Sequence, residues 1–478
     1  MLQPDLMANP NLGLLALYAE IHFRFPFLPS RLWRREPEII ADIPHRLEPG
    51  QPLALLLVVT HADRYPITLE EIVVTQQPAS GESSVSAFAL NTRIDEQYWH
   101  KTLHVPTDAD GALAVDVAIS YTVRNKRRTV HADNLPGTSR QPLKTWVANE
   151  PLPYSEGWLA GDLHVHSRAT ADQVEFGPPV EGLAALGRAQ GLSWCAVTDH
   201  SYDLDDAEEF YVKPDPDWPR WNRLVREAES NSVDGFAIVV GEEVSVRNDR
   251  GRTVHLLGMG MTDPLPGTGD GAESWRPGRC ELSIPEAIAA ISSQGGIAVA
   301  SHPAAGVPIL ERWLFGRGGW SQIDACADGL CGLQVWNGIA NTSSRTGLSL
   351  WNRKILAGRR VLALAGNDSH GDMSRSRQIK TPCWSLAERT NHLYGHLKTV
   401  VKSDVATPSA VMTGIKCGSA IVTSGPWLGL GLVDRNDDGD STDIGGTFAK
   451  ATGVLTVETE STDEFGRIDD VRVFCGDT

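Results

Sequence analysis

The sequence has few of the features that mark secreted, membrane-spanning or nucleic-acid-binding proteins. Its seven cysteines are an odd number and include no C-x-x-C pair, which argues against a disulfide framework. The opening stretch, MLQPDLMANPNLG, lacks the basic start and long apolar run of a secretory signal. No apolar run approaches the roughly eighteen residues needed to span a membrane. These absences predict a cytoplasmic protein without a membrane partner.

The charge balance is acidic, with 43 Lys and Arg against 60 Asp and Glu and a formal net charge of −17. Nucleic-acid surfaces need clustered Lys and Arg, so we expect no nucleic-acid partner. An acidic balance does not argue against a metal site, because bound cations offset nearby carboxylates. The 478 residues are enough for two or three domains, and the hydrophobic fraction of 41% can fill sizeable cores.

Changes in the pattern of apolar and polar residues along the chain predict its domains. Leu53–Thr60 is an apolar run, and Ala112–Thr122 alternates apolar and polar residues, as expected of strands in a small sandwich. Two prolines near residue 150 indicate a linker. We predict an N-terminal extension (1–34), a β-sandwich-like domain (35–150), a barrel domain (155–403) and a C-terminal β-rich region (404–478).

Short apolar strands alternate with helical patterns in the middle region. One helix is predicted over Val180–Gln190, and Ser283 with Glu286 has the spacing of a capping box that begins another. Strand and helix in alternation predict an α/β class, either as a barrel or as an open parallel sheet.

Histidines and acidic residues follow these strands closely. Most lie at or just past a strand end, whereas His255 begins a strand, in VHLLG. In a parallel barrel, the carboxyl ends of the strands converge on one face, so distant residues could meet there. Imidazole and carboxylate ligands without cysteine suit Zn, Mn or Fe. The candidate ligands, too many for one ion, predict two or three divalent ions; they are His164, His166, Asp172, His200, Glu243, His255, His302, Asp368 and His370.

The order of these motifs resembles the polymerase-and-histidinol-phosphatase (PHP) family of metal-dependent hydrolases. The matching segments are GDLHVH, AVTDH, GEEVS, VHLLG, ASHP and GNDSH, in that order across residues 161–370. The segment GNDSHGD and the β-rich flanks look most similar to the branch that includes carbaryl hydrolase. The resemblance implies a distorted, TIM-like, seven-stranded β/α barrel, flanked here by an N-terminal β-sandwich and a C-terminal β-rich region.

The resemblance also implies how the ligands divide among three metal positions. Glu243 is taken as the ligand rather than the adjacent Glu242 because it occupies the third position of G-x-E. The implied sets are His164, His166, Glu243 and Asp368 for the first metal, Glu243, His255 and His302 for the second, and Asp172, His200 and His370 for the third.

Further residues are candidates for catalysis and substrate binding. Asp199 and His200 are the catalytic candidates, with Asp199 expected to orient His200 or a metal-bound water. Arg375 and Arg377 follow the last motif and suit bidentate binding of phosphate or carboxylate. Asn337 ends a predicted strand and is expected to line the pocket.

The predicted function is hydrolysis of a small-molecule ester, most simply a phosphoester, by a hydroxide that bridges the metal ions. Carboxylic ester or carbamate hydrolysis at the same site is an alternative. An amidohydrolase is disfavoured by the T-D-H and final D-x-H motifs and by the lack of an evident bridging lysine. A non-catalytic binding protein, with β-rich recognition domains around a scaffold, is the alternative of another class.

Overall fold

The structure is a computed structural model with side chains. It describes residues 36–134, 141–170, 177–208, 210–233, 235–269, 279–307, 312, 316–339, 341–371, 373–375, 380–381, 384–385, 391–434, 441–448 and 452–476. Of these residues, 41% lie in strands and 17% in helices.

Strands dominate the chain, and several coincide with those expected from the sequence. The predicted strand Leu53–Thr60 is confirmed with the same bounds. The strands in chain order are β1 Glu38–Asp42, β2 Arg46–Leu47, β3 Leu53–Thr60, β4 Ile67–Pro78, β5 Ser84–Ile94, β6 Tyr98–Val105, β7 Gly111–Val123, β8 Lys126–His131, β9 Leu143–Val147, β10 Trp158–Val165, β11 Trp194–His200, β12 Asp206–Ala207, β13 Phe210–Pro214, β14 Ala237–Arg247, β15 Thr253–Met259, β16 Ile297–Ala300, β17 Leu330–Asn337, β18 Leu362–Gly366, β19 Lys380–Thr381, β20 Trp384–Ser385, β21 Lys398–Lys402, β22 Ala420–Thr423, β23 Trp427–Asp434, β24 Ser441–Asp443 and β25 Gly453–Glu460.

Six helices lie within the described residues. The two predicted ones are confirmed: one ends just before Gly191, whose φ is +84°, and another begins with the Ser283–Glu286 capping box. None is both long and apolar enough to cross a bilayer. The helices are α1 Val180–Ala189, α2 Ser201–Leu204, α3 Pro219–Asn231, α4 Ile284–Ser293, α5 Thr342–Leu356 and α6 Pro408–Cys417.

The N-terminal strands form two sheets with a shared core. One has the order β1-β3-β6, and the other has the order β2-β9-β7-β4-β5 with β8 paired to β7. On β7, Leu113, Val115, Val117 and Ile119 are all buried, whereas most of the residues between them are only partly buried. The alternation read in the sequence is therefore the division between core and solvent faces.

The predicted helix-surrounded β/α barrel is wrong. The central sheet is a nearly closed, mixed barrel of nine strands in the order β18-β17-β16-β15-β14-β11-β10-β21-β22. Strands β10 and β11, β11 and β14, β16 and β17, and β17 and β18 pair in parallel, whereas β15, β21 and β22 run antiparallel to their neighbours. The other sheets add further strands rather than a layer of helices.

The antiparallel strand β15 explains why the sequence pattern misled. Only residues 248–252 separate β14 from β15, which is enough for a hairpin and too few for the helical crossover that parallel strands require. The hairpin register sets His255 opposite Ser245. The start of β15 therefore lies beside the end of β14, and His255 joins the same rim as the residues that end the parallel strands.

The N-terminal domain contacts the segment that follows β18. The carboxylate of Asp42 accepts hydrogen bonds from the backbone N–H and the hydroxyl of Ser374, at 3.2 and 2.6 Å. The guanidinium of Arg375 donates to the backbone oxygen of Gln141 at 2.9 Å and lies 3.3 Å from a carboxylate oxygen of Asp133. All four side chains that make these bonds are buried, so the chain just after the last metal motif is held by the first domain.

Gly161, in the first metal motif, makes room for a buried aromatic ring. It pairs with Trp194 across β10 and β11, and a Cβ at position 161 would lie 2.2 Å from the Trp194 indole. Trp194 is 0% exposed, and its Nε1 donates to Leu159 O at 3.0 Å. Because the ring is buried and held by this hydrogen bond, the glycine is a packing requirement of the barrel.

We expect Gly161→Ala to lower the free energy of unfolding by about 2 kcal/mol, because the added methyl overpacks the Trp194 ring. Urea unfolding followed by tryptophan fluorescence measures the loss. Gly319→Ala is the matched control, since Gly319 is exposed and a Cβ there meets nothing within 4 Å. Equal stability of the two variants would contradict this account of the barrel core.

Candidate metal centre

The rim of the barrel brings together all the predicted metal ligands except Asp172, which lies outside the described residues. The backbone N–H of Asp368 donates to His164 O at 2.7 Å, and that of His166 donates to Ser369 O at 2.9 Å. These bonds join the ends of β10 and β18. The assembled ligands are His164, His166, His200, Glu243, His255, His302, Asp368 and His370.

Glu243 is the centre of the cluster, with its side chain 1% exposed. Its Oε1 accepts a hydrogen bond from the Ser301 hydroxyl at 2.6 Å and lies 3.1 Å from His255 Nδ1 and 3.2 Å from His302 Nε2. Its Oε2 lies 3.1 Å from His200 Nδ1. Glu242, which precedes Glu243 on β14, points to the opposite side of the strand and accepts a hydrogen bond from Leu265 N–H. The alternation of β14 therefore separates the two carboxylates.

Two imidazoles meet beside this carboxylate. His164 Nε2 and His166 Nε2 are 3.1 Å apart. Both nitrogens lie near Glu243 Oε2, at 3.3 and 3.5 Å, and near Asp368 Oδ1, at 3.3 and 3.2 Å. Both histidine side chains are 0% exposed, so bulk solvent does not reach these nitrogens.

Polar partners behind the two rings fix which nitrogen faces the cluster. Gln334 Oε1 lies 3.0 Å from His164 Nδ1 and can only accept, so His164 carries its proton on Nδ1. The Thr170 hydroxyl donates to Asp199 Oδ1 at 2.8 Å, which leaves its oxygen to accept from His166 Nδ1 at 3.3 Å. In their neutral forms both rings therefore present an Nε2 lone pair to the carboxylates.

Lone pairs of two imidazoles and two carboxylates cannot face one another at these distances without a proton or a metal cation between them. Glu243 Oε2 and His200 Nδ1 are buried and 3.1 Å apart, and neither makes a hydrogen bond of acceptable geometry with any residue that the structure describes. Divalent cations held by these imidazoles and carboxylates would satisfy their lone pairs, so the residues present fit a metal site.

Among the described residues, three overlapping groups of donor atoms could each hold an ion, and within a group all atoms lie within 4.8 Å of one another. The first matches the set implied by the PHP resemblance. In the second group, His200 takes the place of the expected His302. In the third group, His166 takes the place of the expected Asp172, beside His200 and His370. The groups are His164, His166, Glu243 and Asp368; His200, Glu243 and His255; and His166, His200 and His370.

The carboxylates control protonation of the first group. Burial lowers the pKa of His164, but the negative charges of Glu243 and Asp368 outweigh it and raise that pKa to about 9. Burial would raise the pKa of Asp368, yet the charge on His164, together with the close approach of His166, holds it well below its ordinary value. Without a metal, a proton on His164 supplies the positive charge that the carboxylates require.

Two other buried imidazoles, those of His166 and His200, stay neutral. Burial, together with repulsion from His370 and His200, holds the pKa of His166 well below its ordinary value. Burial also lowers the pKa of His200 to about 4, although Glu243 acts against it. Neutral imidazole is the form that binds metal, so these two rings are ready ligands at neutral pH.

Asp199, one of the two catalytic candidates, faces the turn after β10 rather than the cluster. Its carboxylate accepts from Ser167 N–H and the Ser167 hydroxyl, both at 2.7 Å, and from Thr170. The Thr170 hydroxyl in turn accepts from His200 N–H at 3.2 Å. Asp199 therefore acts on His166 and His200 through Thr170, as a positioning residue.

The three substrate-binding candidates are placed differently. Asn337 lies at the cluster, where its Nδ2 donates to Asp368 Oδ2 at 3.2 Å and its Oδ1 accepts from Gln334 Nε2 at 3.0 Å. Arg375 is 6% exposed, and its guanidinium contacts the N-terminal domain through Asp133. Arg377 lies outside the described residues.

Sequence reasoning missed three residues that orient the ligands. Gln334 and Thr170 fix the two ring orientations, and Asp162 accepts from Asn367 Nδ2 at 2.6 Å and from Gly395 N–H at 2.9 Å. Gln334 carried a detectable signal: it is the one polar residue within the apolar run LCGLQVW. A buried amide in such a strand needs partners, and here they are His164 and Asn337.

No family model and no curated protein matches the sequence. Among solved structures, a target of the Northeast Structural Genomics Consortium aligns with 25% of this chain and 91% of its own, at 11% identity and a TM-score of 0.17. A cycloisomaltooligosaccharide glucanotransferase from Paenibacillus sp., complexed with cycloisomaltoheptaose, aligns with 42% of this chain at 10% identity and a TM-score of 0.17. The aligned region spans 27% of that enzyme. Similarity this low carries no argument about fold or function.

We expect zinc or manganese binding near neutral pH to release about one proton per chain, because the ion displaces the proton of His164, whose pKa is about 9. The affinity should rise with pH up to about 9 and weaken about tenfold per unit below it. Titration calorimetry in two buffers of different ionisation enthalpy counts the protons. His104→Gln, a change at an exposed histidine, is the control. Binding that releases no proton would contradict the assigned protonation of His164.

Gln334→Leu should weaken metal affinity by about 10–100-fold, because His164 loses the acceptor that holds its proton on Nδ1. Competition with a chromophoric chelator measures the affinity, and circular dichroism checks that the fold survives. Gln322→Leu replaces an exposed glutamine and should change nothing. An unchanged affinity in the Gln334 variant would show that this amide does not orient the ligand.

Proposed function

We propose that the protein is a metal-dependent hydrolase of ester bonds in small molecules, with phosphoesters as the first substrate class. One observation carries the proposal: buried imidazole nitrogens converge on the carboxylate of Glu243, whose Oε2 has no hydrogen-bond donor of acceptable geometry among the described residues. A purely structural cluster would have its polar atoms paired within the protein.

The arrangement favours a site with more than one ion. Glu243 belongs to two of the three donor groups, and so do His166 and His200. Shared ligands hold neighbouring ions close together, as hydrolytic sites for phosphate esters require. Bound ions would polarise the ester oxygen and make water a nucleophile near neutral pH. The order of the motifs, which resembles the PHP family, supports the same chemistry.

The residues of this chain would then divide the work of binding and orientation. His164 and His166, held by Gln334 and Thr170, present fixed lone pairs. Asn337 donates to Asp368 Oδ2 and so leaves Oδ1 directed at the histidines. A preorganised donor set of this kind does not have to rearrange during the reaction.

The more open members of the cluster lie where substrate would arrive. The side chains of His302 and His370 are 24% and 18% exposed, against 0% for His164. Both His302 and Asp368 have positive φ angles, 29° and 54°, a strained conformation that tends to occur at functional sites. We assign His302 and His370 to the substrate side of the centre.

The remaining expectations about partners and location stay predictions. The acidic net charge of −17 supports a small-molecule substrate rather than a nucleic acid. A cytoplasmic location is proposed from the odd number of cysteines without a C-x-x-C pair, together with the other features considered in the sequence.

The test is hydrolysis by protein reconstituted with Zn, Mn or Fe, using nitrophenyl phosphate mono- and diesters, nitrophenyl acetate and a naphthyl carbamate. We expect turnover of at least one phosphoester that chelator abolishes. Glu243→Gln and the double variant His164→Ala with Asp368→Ala should each lose more than about a hundredfold in kcat/KM, since loss of even an outer partner costs about 10–100-fold.

His104→Gln and Glu242→Gln serve as controls. Glu242 is buried beside Glu243 but faces away from the cluster, so its change tests whether burial alone matters. Hydrolysis confined to the acetate or the carbamate would replace the phosphoester class with the alternative. Metal binding without turnover of any ester would overturn the proposal in favour of a non-catalytic binding protein.

A further inference from the structure

Lys354 and Cys326 make a close contact away from the metal centre. Lys354 lies on α5 and is 5% exposed, although lysine rarely lies in a protein interior. Its Nζ donates to Gln322 O at 2.8 Å and lies 2.7 Å from Cys326 Sγ. Cys326 is half-buried and ends a short 3-10 turn, Asp324–Cys326, that precedes β17.

The distance between the nitrogen and the sulfur is too short for an ordinary hydrogen bond. About 2.7 Å is already the short limit for N–H···O, and sulfur is larger than oxygen and a weaker acceptor. The distance is also too long for a direct N–S bond. It fits two atoms joined through one bridging atom of the size of oxygen.

We propose that Lys354 and Cys326 form a covalent Lys–NH–O–S–Cys cross-link, which makes this pair an oxidative modification site. One N–H bond of the Lys354 amine and the S–H bond of Cys326 break, and an N–O and an O–S bond form. Dioxygen supplies the bridging oxygen and accepts four electrons, two from nitrogen and two from sulfur. Its second oxygen atom leaves as water with the two hydrogens.

A neighbouring cysteine lacks these properties and serves as a comparison. Cys331, five residues along the chain on β17, is also partly buried, and burial raises the pKa of its thiol to about 11. A thiol held in that form is a poor nucleophile. Cys326 combines partial exposure with an amine in contact, which directs the oxidised sulfur toward nitrogen.

The link would brace the strand that supports the metal centre. It joins the turn before β17 to the helix after it, and β17 carries Gln334 and Asn337. The turn is also tied to the β14–β15 hairpin, because Asp324 Oδ1 accepts from Asp249 N–H at 2.8 Å. A cross-link between residues 28 apart restricts the unfolded chain and should raise the melting temperature.

Intact mass of the full-length protein tests the proposal. Air-exposed protein should be heavier than protein kept anaerobic with dithiothreitol by about 14 Da, which is one oxygen gained and two hydrogens lost. Dithiothreitol should remove the added mass. Peptide mapping should join the peptides that contain Cys326 and Lys354, and the oxidised form should melt a few degrees higher.

Cys326→Ser and Lys354→Arg should each abolish the gain of about 14 Da, whereas Cys331→Ser should keep it. Oxygen added to Cys326 alone, present equally in Lys354→Arg, would overturn the proposal. So would a loss of about 2 Da, which indicates a direct N–S bond, or an unchanged mass after air exposure. The peptide map of the unmodified sequence decides the question even if a variant fails to fold.

Discussion

The buried charge of Glu243 is the constraint on which the rest of the structure depends. A carboxylate that is 1% exposed is costly unless positive charge and hydrogen-bond donors surround it. Burial raises the pKa of Glu243, but His255 and His164 outweigh it and hold that pKa well below its ordinary value. The carboxylate therefore stays ionised, and imidazoles at the ends of β10, β11, β15 and β16 face it.

The sequence was enough to predict the members of the cluster and not the sheet that assembles them. His164, Glu243 and Asp368 could be chosen because polar residues after apolar runs are recognisable without knowing strand direction. Direction itself was not readable: β14 and β15 look like two more buried strands, and only the five-residue turn between them forces an antiparallel pair. Because of that pairing, His255 begins a strand in the sequence, whereas most of the other ligands follow strands. In the structure it nevertheless lies on the same rim as they do.

The residues that orient the ligands were hidden for a different reason. Gln334 is 170 positions from His164, and no local pattern connects a lone amide in one strand with a histidine in another. Thr170, by contrast, is only four positions from His166, but a threonine in a turn has many possible roles. Their importance follows from tertiary geometry, because a metal ligand acts only when its second nitrogen is held.

The same reasoning gives the N-terminal domain a part in the metal centre. Asp368 has a φ of 54°, a conformation that persists only where the surrounding structure holds it. On one side, the carboxylate of Asp162 accepts hydrogen bonds from the backbone N–H and the side-chain Nδ2 of Asn367, at 3.1 and 2.6 Å. On the other side Asp42 of the first domain binds Ser374. The strained ligand is thus fixed between the barrel and the N-terminal sheets, so the first domain contributes to the geometry of a site that it does not line.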